Sequence, residues 1–288
     1  MNMKLAIVTD STCDWSCEEY EAKQVAMIPL KIQVDNENFL DQIEISSEEF
    51  YDRMIASDQI PLTSQPSPGE FISIYEDLAR QGYDAIISLH IAPALSGTCA
   101  AAEIAAQSVD IPVIVYDSKA ASSQLGLLVG EACRLRDRGT SLDEMVKKLD
   151  AVRKDMLFFL TPDSLDNLVK GGRLPEELAQ GMAVLKVKIV FKFDEDGRLQ
   201  NFDKVKGSKG ILKRYAEVIE DYVNEFGSAR VRFMHARNLS EVTKLIKMLK
   251  DKGIDVEVAG VDSCGATVAT HTGVGVIGFS VLPLNDRK

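Results

Sequence analysis

The sequence is poor in cysteine and has neither a long apolar run nor a secretion signal, and each absence excludes a class of protein. Its 5 cysteines, in 288 residues, are too few and too scattered for a disulfide scaffold. No uninterrupted apolar stretch reaches the roughly 20 residues that span a bilayer, and the N-terminus runs into a strand without a signal-peptide pattern. We therefore expect a cytoplasmic protein with free thiols and no stable membrane insertion. The cysteines are Cys13, Cys17, Cys99, Cys133 and Cys264.

An excess of basic residues is also missing, because 33 Lys and Arg face 44 Asp and Glu, for a net charge of −11. Such a field repels phosphate backbones and anionic membrane surfaces, so no nucleic acid partner is expected. An anionic ligand must instead be held locally, by hydroxyls, backbone amides or helix ends.

The usual signatures of metal and nucleotide sites are absent as well. His90, His235 and His271 stand apart in the sequence with no carboxylate cluster around them, so no metal site is predicted. Neither the G-x-x-x-x-G-K-[ST] loop nor the G-x-G-x-x-G fingerprint occurs. We therefore predict no cofactor.

The N-terminal part of the chain alternates strand and helix signals. Apolar runs at residues 4–9, 25–34, 85–89, 113–117 and 156–161 are typical of strands buried on both faces. Between them lie amphipathic segments, three of them opened by the capping boxes of Ser46 with Glu49, Ser67 with Glu70 and Ser141 with Glu144. This alternation predicts βαβ units and a largely parallel sheet.

Beyond residue 161 the pattern changes. Residues 186–193 and 199–205 alternate polar and apolar positions on either side of a turn, which is typical of a hairpin with one solvated face. At 288 residues the chain exceeds what one core usually takes. We predict an α/β fold with two α/β domains: residues 1–161, largely parallel and three-layered, and residues 162–288, an α+β domain with a hairpin and a mixed sheet.

Four polar segments stand where a strand passes into a loop or helix, the position of the ligand crevice in an open α/β sheet. Ser96, Gly97 and Thr98 precede a predicted helix, a pattern typical of anion-binding amides aided by the helix dipole. Taken singly, N-capping alone is enough to explain Ser96 or Thr98, and turn chemistry is enough to explain Thr63. The segments are residues 10–12 (DST), 62–67 (LTSQPS), 94–98 (ALSGT) and 271–275 (HTGVG).

Residues 170–173 (KGGR) combine a glycine helix stop with a cation. Arg173 is a candidate contact for a phosphate or for a partner protein, and a solvated arginine is the alternative interpretation. His271 beside its glycines is open to two interpretations as well, a structural histidine or a site residue.

Taken in order, the motifs TDST, TSQPSP, LSGT, KGGR, K-x-K-I-V and HTGVGVIG resemble the DegV family over nearly the whole chain. Members of this family bind fatty acids, and the FakB proteins among them carry the substrate of a bacterial fatty acid kinase. The resemblance implies that Thr63 and Ser96 hold the carboxylate of a long-chain fatty acid such as palmitate, stearate or oleate. Gly97, Thr98 and His271 are expected beside it.

The same resemblance implies the layout of the protein and its role. The acyl chain is expected in an apolar tunnel between the two domains, with the KGGR segment near the opening where the kinase docks. The protein is then a monomeric carrier in phospholipid metabolism and not itself an enzyme.

Three departures from the family pattern bear on phosphoryl transfer and on the shape of the site. Lys206 aligns with an arginine that many members use in phosphoryl transfer, and lysine keeps the charge but loses the planar fork. Lys188-Ile189 stands where many members have Lys-Pro, and residues 90–95 contain fewer serines and glycines than usual. Arg173 and Lys206 are the candidate contacts for the kinase or the phosphate.

Two other functions are open on the residues alone. In the first, Ser96 is the nucleophile and His271 the base of an acyl hydrolase, although the nucleophile-elbow pattern G-x-S-x-G is absent. In the second, the protein is a lipid-sensing regulator whose fatty acid is a signal, without phosphotransfer.

Overall fold

The computed structural model describes residues 3–57, 59–179 and 187–284. Among these residues the strands form a four-stranded, a six-stranded and a three-stranded sheet. The strands are β1 (Leu5–Asp10), β2 (Val25–Ile28), β3 (Lys31–Val34), β4 (Glu37–Leu40), β5 (Leu62–Ser64), β6 (Ala85–His90), β7 (Val113–Asp117), β8 (Leu157–Thr161), β9 (Lys188–Phe193), β10 (Leu199–Val205), β11 (Ala229–His235), β12 (Val256–Ser263) and β13 (Ile277–Pro283). The helices are α1 (Cys17–Lys23), α2 (Ser47–Ala56), α3 (Pro68–Arg80), α4 (Thr98–Ala106), α5 (Ser123–Asp137), α6 (Leu142–Asp155), α7 (Asp166–Lys170), α8 (Glu176–Ala179), α9 (Gly207–Phe226), α10 (Leu239–Asp251) and α11 (Ala266–Thr272).

The four-stranded sheet is parallel, in the order β2-β1-β6-β7. Strands β1 and β6 are buried at every position, which is why they appear in the sequence as continuous apolar runs. Helices α3 and α4 cover one face, and α5 and α6 cover the other. The predicted three-layer parallel domain is confirmed.

The six-stranded sheet is mixed, in the order β10-β9-β8-β13-β11-β12. Its β9–β10 hairpin is antiparallel and its β11–β12 pair is parallel, as the prediction of a hairpin and a mixed sheet requires. Helices α9 and α10 cover the outer face. Helix α5 contacts the strands of both large sheets and so packs between them.

Strand β8 is hydrogen-bonded to β9 and β13 and therefore lies in the second sheet. It groups structurally with the C-terminal part of the chain, although its apolar pattern resembles that of the N-terminal strands. The domain boundary near residue 161 stays a prediction. The strand predicted at residues 186–193 begins at Lys188, and residue 186 lies outside the described residues.

The prediction of one strand over residues 25–34 was wrong. The structure divides this stretch into β2, in the parallel sheet, and β3, in the small antiparallel sheet β4-β3-β5. Pro29 lies between them, and a proline has no backbone N–H for a sheet ladder. No helix among the described residues is long and apolar enough to cross a bilayer.

Candidate functional site

A cavity of ≈ 270 Å³ is lined by strands of the six-stranded sheet, by β5, and by loops that follow strands of the four-stranded sheet. Most of the lining is aliphatic or aromatic, which suits an apolar ligand. Its polar lining residues include Thr63, Ser96, Arg173 and His271, which come from four of the sequence motifs. The apolar lining is Leu30, Ile91, Leu95, Ala121, Phe158, Leu160, Leu168, Phe193, Leu199, Met234 and Val268.

Thr63 and His271 are in contact although they lie 208 positions apart in the sequence. Thr63 Oγ1 lies 3.0 Å from His271 Nε2, within hydrogen-bond distance. Thr63 is held by the pairing of β5 with β3, where it lies opposite Ile32. His271 belongs to the last turn of α11, which contacts both β3 and β5. Two of the predicted site residues are therefore brought together by the small sheet.

Two buried carboxylates from the N-terminal part of the chain hold the other end of α11. Asp14 Oδ1 accepts a hydrogen bond from the Gly265 amide at 2.8 Å, and Asp41 Oδ1 accepts one from the Ala266 amide at 2.9 Å. Burial raises the pKa of both carboxyls. This capping fixes the helix that carries His271, and sequence reasoning missed it because the partners lie more than two hundred positions apart.

Ser96 does not cap α4. The N-cap position is Gly97, without a side-chain cap, and Ser96 Oγ lies 2.8 Å from Thr98 Oγ1 instead. The helix therefore begins without a side chain across its first amides, as an anion site requires. A Cβ on Gly97 would collide with the side-chain amide of Gln65, so the glycine lets the 94–98 segment approach the 62–67 segment.

His271 is neutral near pH 7. Burial, and secondarily the charge of Arg173, lower the pKa of the ring to about 4. Its Nδ1 has no hydrogen-bond partner among the described residues. Gly171 lies so close to the ring that a Cβ at this position would be 2.5 Å from His271 Nδ1. The KGGR segment thus packs directly on the ring.

Arg173 lines the cavity and is half-buried. Its Nε donates to the Leu95 carbonyl at 3.1 Å, and one terminal nitrogen donates to the Gly171 carbonyl at 2.6 Å. Both acceptors are neutral, and burial lowers the pKa of the guanidinium. A positive charge is therefore placed beside Ser96 and His271, where an anionic group would offset it.

Lys206 lies elsewhere. It is exposed, follows β10 and does not line the cavity. Its neighbour Val205 pairs with Lys188, whose Nζ donates to the Asp163 carbonyl at 2.7 Å. The structure thus places Lys206 at the edge of the second sheet, near the loop that leads into α7.

The first motif, residues 10–12, contributes one residue to the cavity lining. Thr12 lines the cavity, whereas Asp10 Oδ2 accepts hydrogen bonds from His90 Nδ1 at 2.9 Å and from the Ile91 amide at 3.0 Å. The Nε2 of His90 lies 2.6 Å from Ser88 Oγ, and all three side chains are fully buried. The sequence showed no carboxylate near His90, but Asp10 reaches it from the adjacent strand.

The residues named for an acyl hydrolase do not form a nucleophile–base pair. His271 is hydrogen-bonded to Thr63, and Ser96 to Thr98. A serine nucleophile requires its base within hydrogen-bond reach. The arrangement instead provides hydroxyl groups, a neutral ring and a guanidinium around one end of an apolar cavity.

Comparisons with known proteins point to one family. The model of the DegV family, described as "Uncharacterised protein, DegV family", matches residues 4–284. A DegV domain-containing protein of Staphylococcus aureus is 35% identical over 279 residues, 97% of this chain and 99% of that protein. A fatty-acid-binding DegV family protein from Thermus thermophilus has 30% identity and a TM-score of 0.91, covering 98% of this chain and 100% of that one. DegV, a fatty acid binding protein from Bacillus subtilis, has 31% identity and a TM-score of 0.87, covering 97% and 99%.

Proposed function

Because this chain belongs to the DegV family, we propose that it binds one long-chain fatty acid in the cavity between its two domains. The proposal rests on one observation, that the cavity combines a small group of polar side chains with a larger apolar surface. Thr63, Ser96, His271 and Arg173 line it together with a long apolar surface. Similar proteins of Thermus thermophilus and Bacillus subtilis are described as fatty acid binding.

The polar groups suit a carboxylate that must stay ionised. The hydroxyls of Thr63 and Ser96 each donate one hydrogen bond, and the amides of Gly97 and Thr98 at the start of α4 add backbone donors. His271 is neutral and takes part as a hydrogen-bonding ring, while Arg173 supplies the positive charge. Hydrogen bonds to the charged form keep the pKa of a carboxyl low.

The apolar lining suits the acyl chain. Each buried methylene contributes roughly 0.8 kcal/mol, so a long chain binds mainly through its hydrocarbon. The carboxylate contacts then fix its direction in the cavity. We expect a tightly held ligand that stays with the protein during purification.

Replacing Thr63 or Ser96 by alanine tests the carboxylate contacts. Each change removes one hydrogen bond to a charged group, which is worth about 1.5–3 kcal/mol, so the fatty acid affinity should fall roughly 10- to 100-fold. Native mass spectrometry of the co-purified lipid and titration of delipidated protein measure the loss.

Ser108→Ala is the matched control, because Ser108 is an exposed hydroxyl that donates only to the Ile104 carbonyl. It should leave binding unchanged. Full lipid occupancy in both Thr63→Ala and Ser96→Ala would contradict the proposed carboxylate site. A wild-type protein that takes up no fatty acid would contradict the proposed function as a whole.

We further propose that the protein is a cytoplasmic carrier that presents the carboxylate to a fatty acid kinase and performs no catalysis itself. Support comes from the chemistry of the site, since an ionised carboxylate is a competent nucleophile toward a phosphoryl donor. The developing negative charge would need cations, and Arg173 and Lys206 are the candidates.

Arg173→Ala should lower acyl phosphate formation at least tenfold in an assay with a fatty acid kinase and ATP, with the protein saturated by fatty acid. Lys206→Arg should match or exceed the native rate, because a guanidinium contacts phosphate oxygens in two places. Loading is measured in parallel by mass spectrometry. If the loss in Arg173→Ala vanishes once loading is equal, Arg173 serves binding alone. Inactivity of the loaded native protein with every kinase tested would contradict the presentation role.

A further inference from the structure

Gln65 is exposed to solvent and also lines the cavity. It follows Thr63 by two positions, on the segment that leads from β5 to α3. A side chain that is open to solvent and also reaches the cavity lies at an opening of that cavity. The opening beside Gln65 is therefore close in sequence to one of the two hydroxyls proposed to bind the carboxylate.

The side-chain amide of Gln65 lies against the start of α4, where the other hydroxyl is found. A Cβ on Gly97 would be 2.7 Å from Gln65 Nε2 and 2.8 Å from Gln65 Cδ. Gly97 stands between Ser96 and Thr98, whose hydroxyl oxygens lie 2.8 Å apart. The amide thus joins the segment of Thr63 to the segment of Ser96, at the polar end of the cavity.

The amide group of Gln65 makes no hydrogen bond within the part of the chain that the structure describes. Its nitrogen carries two N–H donors, and its oxygen is an acceptor. Because the side chain is exposed, water solvates these groups in the protein without ligand. A ligand that reaches this end of the cavity can take the place of that water.

The hydroxyl groups alone do not satisfy a carboxylate, which accepts up to about four hydrogen bonds. One hydrogen is shared between Thr63 and His271, and another between Ser96 and Thr98. Each of these pairs has at most one hydrogen left for a ligand. Further donors must come from neighbouring groups, and the amide of Gln65 is one that is already in contact with the segment of Ser96.

We propose that Gln65 is a further ligand-binding residue, whose side-chain amide donates a hydrogen bond to the fatty acid carboxylate at the opening of the cavity. The inference rests on the proposed function and adds to it a residue that recognises the head group. A neutral amide donates to the carboxylate without adding a second negative charge. Gly97 fits this role, because any side chain at that position would displace the amide.

Titration of delipidated protein with palmitate and with hexadecanol tests the contact. Gln65→Glu keeps the shape of the side chain and places a negative charge beside that of the ligand, so the palmitate affinity should fall about tenfold or more. Hexadecanol has a chain of the same length and a neutral hydroxyl that can donate to a carboxylate. Its affinity for Gln65→Glu should therefore stay within about twofold of the wild-type value.

Gln65→Met has a side chain of similar length without a donor. Its palmitate affinity should fall about 3- to 10-fold, the effect of one lost hydrogen bond at an exposed position. This variant decides the matter if hexadecanol does not bind the wild type, because it removes the donor without adding a charge.

Gln107→Glu is the matched control, because Gln107 is exposed at the opposite end of α4 and does not line the cavity. It adds the same charge to the protein and should leave the palmitate affinity unchanged. Equal losses of palmitate and hexadecanol in Gln65→Glu, or wild-type palmitate affinity in both Gln65 variants, would overturn the inference and leave the proposed function intact. A wild type that binds no palmitate would contradict the proposed function itself.

Discussion

Replacing Arg232 by methionine should lower the free energy of unfolding by about 3–5 kcal/mol, because the change leaves a buried carboxylate without its partner. Arg232 has a side chain only 3% exposed, and its Nε and a terminal nitrogen bind the two oxygens of Asp262 at 2.5 and 2.7 Å. A second terminal nitrogen donates to Glu19 Oε1 at 3.0 Å. Since Glu19 belongs to α1 and the other two residues to the second sheet, the cluster joins the two halves of the molecule.

The loss of stability in Arg232→Met should be larger at high pH than at low pH. Burial raises the pKa of Asp262 from its ordinary value of 3.8 to about 6, so this carboxyl is ionised at neutral pH beside the guanidinium. A carboxyl with a raised folded-state pKa gains stability from protonation, and that contribution is lost as pH rises through the folded-state pKa. Without Arg232 the pKa of Asp262 should rise further. The deficit of the variant should therefore be largest above neutral pH and shrink as the pH falls toward 5.

Urea unfolding of the wild type and the variant measures the effect, and Arg230→Met is the matched control. Arg230 lies two positions away on the same strand and binds Glu257, whose side chain is 48% exposed. An ion pair open to solvent is worth at most about 1 kcal/mol. Equal losses in the two variants would show that the Arg232 cluster is no stronger than a surface pair.

Gly171→Ala should reduce fatty acid affinity on the order of 100- to 1,000-fold while the protein stays folded. The added Cβ would lie 2.5 Å from His271 Nδ1 and 2.8 Å from the Asn167 carbonyl oxygen, both inside contact distance. The ring must move, and it then loses its position 3.0 Å from Thr63 Oγ1. One methyl group therefore disturbs both residues at the carboxylate end of the cavity. Titration of delipidated protein with a fatty acid measures the loss.

Gly69→Ala is the control for this change. Gly69 lies in the first turn of α3, and the nearest heavy atom to a new Cβ there is Ser67 Oγ at 4.0 Å. The substitution should leave binding unchanged and stabilise the helix slightly. Wild-type affinity in Gly171→Ala would mean that the position of His271 does not matter for the ligand.

The sequence by itself was sufficient to predict those strands and helices whose residue pattern is local. Continuous apolar runs in β1 and β6 and the alternation in β9 and β10 report how many faces of each strand are buried, so the parallel and mixed sheets could be predicted. The capping box of Ser67 and Glu70 marked the start of α3. The polar motifs at the ends of strands indicated which residues to consider for a site.

Only the tertiary structure decided what those residues contact. His271 meets Thr63 and Gly171, Asp10 meets His90, and Arg173 turns inward to the Leu95 carbonyl. None of these contacts has a periodic signal, because each depends on how separate elements pack. The structure also bears on alternatives that the sequence left open: Ser96 is not a helix cap, and Arg173 lines the cavity, whereas Lys206 lies outside it. A pattern in the sequence indicates whether a side chain is buried. Which residue that side chain contacts depends on how separate elements pack, and here the contacting residues lie more than two hundred positions apart in the sequence.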